Sequence, residues 1–153
     1  MLGTIVVIPI KARNLPNKQK IGKQDPYCQL SYGSISKKTK VDKRGGQHPV
    51  WDEEFRFDIW EDLEEAFEES GVSINGKGGV GNTSSERNNR LLKIACYADD
   101  TRDPDLIGEG TLDIGPTLKK GEFDDWVPIK NKGKPCGEVY MEMTFYSNAE
   151  PPP

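Results

Sequence analysis

The stretch PVWDEEFRFDI, residues 49–59, sets Phe55, Phe57 and Ile59 in strict alternation with Glu54, Arg56 and Asp58. Successive side chains of a strand point to opposite faces, so this period of two describes one apolar face and one wet face. The pattern returns over 137–146, where Val139, Met141, Met143 and Phe145 alternate with Tyr140, Glu142, Thr144 and Tyr146. Half-wet strands must bury their apolar face against another layer.

Working outward, residues 3–10 (GTIVVIPI) are β-branched and apolar on both faces, which suits a strand inside a sheet. The polar stretch 13–24 then reads as a long loop. Strands follow at 27–32 and 36–41 around a Gly33-Ser34 turn, and later at 91–97, 106–113 and 125–130. Turn clusters separate most of these eight strands and no helix alternates with them. The expected class is therefore an all-β, eight-stranded antiparallel β-sandwich rather than a βαβ fold. Between 61 and 90 the pattern changes. Trp60, Leu63 and Phe67 fall at i, i+3 and i+7 among six acidic residues, which predicts a short acidic amphipathic helix ended by Gly71. Residues 71–90 are rich in Gly, Ser and Asn and predict a flexible loop. One domain over 1–147 with an insertion at about 61–90 is expected, followed by a proline-rich tail at 148–153.

With 34% hydrophobic and 30% charged residues over 153 positions, the chain suits one soluble domain, and it has no apolar run long enough to span a bilayer. Met1 runs straight into strand-like sequence without a signal-peptide pattern. Cys28, Cys96 and Cys136 show no CxxC spacing and read as buried free thiols, so a cytoplasmic protein is expected. Net charge is −4, yet residues 1–44 hold ten Lys and Arg against only Asp25 and Asp42. A basic face on an acidic chain suits an anionic membrane or an acidic partner and not nucleic acid. The alternative is a solvated surface of mixed charge, since lysines along a strand can point to both faces.

Enzyme chemistry finds no foothold. His48 is the only histidine and sits beside Pro49 in a turn, with no nucleophile in an elbow-like setting. The string Lys77 to Thr83 (KGGVGNT) looks like a phosphate-binding loop, but Asn82 stands where a lysine is needed and a polar SSERNN follows.

Three motifs, taken in order, resemble the C2 domain family: GTIVVIPIKARNLP with Gly22 and Asp25-Pro26-Tyr27, then Pro49 to Phe57, then Asp105-Leu106-Ile107-Gly108. The last strand, from Gly137 to Met141, looks like the strand that opens the other circular variant, which implies type II topology. GKQDPYC at 22–28 with 37–57 resembles, more narrowly, the N-terminal C2 domain of fungal ingression proteins, which act in cytokinesis. That resemblance implies cytokinesis proteins as partners, SH3-domain proteins if a proline-rich tail continues, and peripheral attachment at the plasma membrane or division site. It also projects the family's calcium positions onto Gln19, Asp25, Tyr97, Asp99 and Asp105. Two of the five lack a carboxylate, so calcium is not expected and no cofactor is. Lipid or anion contact then falls to Lys18, Lys20, Lys23, Tyr27, Lys37, Lys38, Lys40, Lys43 and Arg44, with anionic lipids, phosphoinositides among them, as the implied ligand. A calcium-independent membrane-targeting or scaffold C2 domain is the leading expectation. A purely protein-binding C2 module and a calcium-dependent phospholipid-binding one are the alternatives.

Overall fold

The computed structural model describes residues 1–19, 22–61 and 90–148. The predicted acidic helix and flexible loop fall almost wholly within 62–89, and most of the tail within 149–153, outside the described residues. Eight strands form among the described residues: β1 (Gly3–Arg13), β2 (Pro26–Tyr32), β3 (Ile35–Lys38), β4 (Phe55–Ile59), β5 (Leu91–Ala98), β6 (Asp105–Asp113), β7 (Glu122–Asn131) and β8 (Lys134–Ser147). A six-residue helix, α1 (Gly115–Lys120), lies between β6 and β7 and has no counterpart in the sequence reading. Its sequence, GPTLKK, spans under two turns, too short to display a helical period. Pro116 fits the first turn, and Gly121 ends the helix in the left-handed region at φ 98°.

The strand order is β3-β2-β5-β6-β7-β8-β1-β4, and every pairing is antiparallel. The one ladder pair between β6 and β7 among the described residues is Glu109↔Lys130, and the Asn131 amide of β7 adds bonds to Leu106 O (3.2 Å) and Ile107 O (3.3 Å) on β6. At that point the sheet folds over, so β3-β2-β5-β6 and β7-β8-β1-β4 become two layers facing one another. Their inner faces share one core, to which Cys28, Leu30, Ile94 and Cys96 contribute from one layer and Val7, Phe57, Val139 and Met141 from the other. This is the expected sandwich. β8 lies between β7 and β1, and Asn148 N–H donates to Leu2 O at 2.9 Å, so the ends of the two strands meet at one edge of the fold.

Local chemistry sets the strand limits. β1 runs to Arg13 rather than residue 10, with a register shift between Pro9 and Lys11. The Ile10 carbonyl released there accepts from Trp51 N–H (2.8 Å) and Asp52 N–H (3.0 Å). The Trp51 indole in turn donates to Pro26 O at 3.0 Å, tying the lead-in of β4 to the start of β2. β3 stops at Lys38 instead of 41. The Thr39 hydroxyl takes Cys28 N–H at 3.0 Å, filling a place that a strand carbonyl would need.

At Gly108 on β6 an added Cβ would lie 2.1 Å from Cys136 Sγ of the opposite layer. Gly108→Ala should therefore cost about 1–3 kcal/mol of stability through overpacking. Adding Cys136→Ala should restore part of that loss, a coupling that a double-mutant cycle in urea measures directly.

Candidate membrane-docking face

One end of the sandwich is built from the β1–β2 loop, the segment 39–48 after β3, and the β5–β6 loop. The residue that organises it is Gln24, which is fully buried. Its amide nitrogen donates to Pro16 O (2.8 Å) and Gly46 O (2.9 Å), and its oxygen accepts Lys18 N–H at 2.8 Å. Backbone bonds from Gly46 N–H to Gln24 O and from Asp42 N–H to Pro26 O bring the two segments together. The sequence reading passes over Gln24. A single polar residue in a polar loop shows no sign of burial until its distant carbonyl partners are known.

The two acids of the basic segment serve the backbone. Asp25 Oδ1 accepts Arg44 N–H at 2.7 Å, which holds Arg44 at φ 59° in the left-handed region. Asp42 Oδ2 accepts Val50 N–H at 2.9 Å. Lys18, Lys23, Lys38, Lys40, Lys43 and Arg44 are all exposed, and none forms an ion pair with a described carboxylate. Lys20 lies outside the described residues. Lys38 pairs with Gln29 across the β2–β3 ladder and sets its ammonium 5.3 Å from the Tyr27 ring centroid. Tyr27 is only 5% exposed, because Tyr97 stacks on it with centroids 5.4 Å apart. Lys37 is not part of this face. It pairs with Leu30, points to the inner side of β3, and donates to Arg56 O beside the Phe57 ring, so it fastens one layer to the other.

The projected calcium positions are only partly assembled. Asp99 N–H donates to Asp25 O at 2.9 Å, and Asp105 opens β6 opposite Ala98, so the three aspartates come from adjoining segments. Tyr97 uses its ring against Tyr27, Gln19 is exposed, and Asp25 is occupied by Arg44 N–H. Among the described residues no group of three or more His, Cys, Asp or Glu side chains is placed to hold a metal.

A C2 domain profile matches residues 3–69 and 81–129. The chain belongs to the C2 domain family. Ingression protein fic1 of Schizosaccharomyces pombe is 31% identical over 94% of this chain, and Ingression protein 1 of Saccharomyces cerevisiae is 24% identical over 94%. The chain spans 44% and 30% of those two proteins, respectively. Among solved structures, a C2 domain of plant Extended Synaptotagmin 1 superposes with a TM-score of 0.70 at 21% identity, covering 97% of this chain and 98% of that one. This C2 domain is thus related to fungal ingression proteins. No helix among its described residues is long and apolar enough to cross a membrane.

Burial, then Tyr97 and then Asp99, raises the Tyr27 hydroxyl above the ordinary tyrosine value of 10.0. The unfolded chain loses this proton first, so Tyr27 stabilises the fold fully below pH 10 and loses that contribution as pH rises through the folded value. Tyrosinate absorbance should show two late-titrating tyrosines, Tyr27 and Tyr140, and Asp99→Asn should lower the midpoint of Tyr27 alone.

Proposed function

We propose that this C2 domain is a non-enzymatic, calcium-independent docking module that attaches to anionic membrane surfaces through Lys18, Lys23, Lys38, Lys40, Lys43 and Arg44. The observation that carries this reading is the division of labour at the loop end. Asp25 and Asp42 are held by backbone N–H groups, while the cations beside them face solvent without described carboxylate partners. Such a field of ammonium and guanidinium groups attracts lipid phosphates over about one Debye length. Lys38 over Tyr27 adds a recessed place where a phosphorylated headgroup meets a cation and an aromatic edge together. The likeness to ingression proteins supports a peripheral, cytoplasmic place at the division site during cytokinesis, with cytokinesis proteins as partners. A continuing proline-rich tail would add SH3-domain partners.

Sedimentation with phosphatidylserine and phosphoinositide vesicles tests this. Binding should be equal in EGTA and in calcium and should weaken as salt rises. Each lysine near an anionic surface contributes about 1 kcal/mol, so the Lys38→Ala, Lys40→Ala double variant should bind about thirtyfold more weakly. Absence of pelleting at low salt would remove the membrane and leave an acidic protein as the partner of this face. Binding that requires calcium would overturn the metal-independent reading.

A further inference from the structure

The three cysteines, 108 residues apart at their extremes in sequence, meet inside the sandwich. Cys28 on β2 is the direct cross-strand partner of Cys96 on β5, and its thiol, with burial, pushes the Cys96 thiol up. Cys96 is in turn the partner of Gly108 on β6. Gly108 has no side chain, and Cys136 Sγ from the opposite layer fills that space, 2.1 Å from where a Cβ would stand. Facing Cβ positions on paired strands are about 5 Å apart, so the Cys136 sulfur sits about one strand spacing from the Cys96 side chain. A disulfide between the two requires their sulfurs to close that gap.

Cys28 and Cys96 are sealed at 0% exposure, but Cys136 is 8% exposed. It lines a cavity of about 370 Å³ together with Lys18, Lys132 and Lys134, and no carboxylate is among the described residues that line it. Glutathione carries two carboxylates and one ammonium, and three lysines around one thiol suit such an anionic reagent. Burial and Cys96 raise the Cys136 thiol above its ordinary range while Lys18 acts to lower it.

We propose that Cys136 is a thiol-exchange site for anionic low-molecular-weight disulfides of the glutathione type, and that Cys96 resolves the adduct. In the first step Cys136 sulfur attacks glutathione disulfide. A Cys136–glutathione bond forms, the glutathione S–S bond breaks, and one glutathione thiol leaves carrying the proton lost by Cys136. In the second step Cys96 sulfur attacks Cys136 sulfur. The Cys96–Cys136 disulfide forms, the mixed disulfide breaks, and a second glutathione thiol leaves with the Cys96 proton. The two protein thiols are oxidised and one glutathione disulfide is reduced to two thiols. The product bridges β5 to β8, locking together layers that the sheet itself joins at a single ladder pair among the described residues.

Intact-mass and peptide mapping of the folded chain in glutathione disulfide provide the test. A single glutathione should appear on Cys136 and give way to a Cys96–Cys136 disulfide. Cys96→Ser should halt at the adduct, and Cys136→Ser should leave Cys28 and Cys96 reduced. As a check that leaves the core untouched, Lys18→Ala with Lys134→Ala should slow glutathione disulfide about tenfold at low salt and leave cationic cystamine unslowed. The proposal is overturned by equal rates for the two reagents in the unaltered chain, by first modification at Cys28 or Cys96, by labelling of all three cysteines at one common rate, or by no reaction of the folded protein.

Discussion

A sheet of eight strands that turns back on itself through one ladder pair, Glu109↔Lys130, has little backbone connection to fix how its halves face each other. Side-chain interdigitation in the dry core has to do it. Apolar burial supplies the driving force but no direction. The direction comes from shape, above all from the Gly108 gap that accepts Cys136. Lys37 closes the open side, where the two edge strands β3 and β4 lie, by reaching from one to the carbonyl of Arg56 on the other. It also occupies backbone that an exposed edge would otherwise offer to another chain.

The loop end depends on that frame, and its chemistry follows from where its polar groups were spent. Gln24 satisfies two carbonyls and one N–H that burial would otherwise leave unpaired at a cost of about 1–3 kcal/mol each. Asp25 and Asp42 do comparable work for Arg44 and Val50. A carboxylate committed to a neighbouring amide is a poorer metal ligand and a poorer counter-ion. The same two bonds take up acceptor oxygens that the nearby exposed cations would otherwise pair with.

The strands are legible in the sequence because burial on one face leaves a period of two, as at 55–59 and 137–146. Their ends are not, since they depend on single hydrogen bonds made at a distance: Thr39 on Cys28 for β3, and Ile10 on Trp51 for the bend in β1. Helix α1 escapes because GPTLKK is shorter than the period that would reveal it. Of the candidate cations, alternation alone implies that Lys37 and Lys38 point opposite ways. Which one faces out follows only from the pairing of Lys37 with Leu30. Tyr27 is a contact residue by resemblance, and the structure places it beneath Lys38 and against Tyr97, where only an edge is open. The thiol row is beyond sequence reasoning, because Cys28, Cys96 and Cys136 meet only after both layers have closed.

The meeting of Asn148 with Leu2 also has a mechanical meaning. β8 runs fourteen residues from the loop end to the opposite end of the sandwich, laddered to β7 on one side and β1 on the other. If the loop end is held fixed and tension enters at residue 148, the pull lies along β8, and both ladders resist together in shear. Tension applied between residues 148 and 2 would instead peel β8 from β1 one bond at a time, beginning at the Asn148–Leu2 contact. The fold is therefore stiff along the line from an anchored loop end to its far edge and soft across that edge.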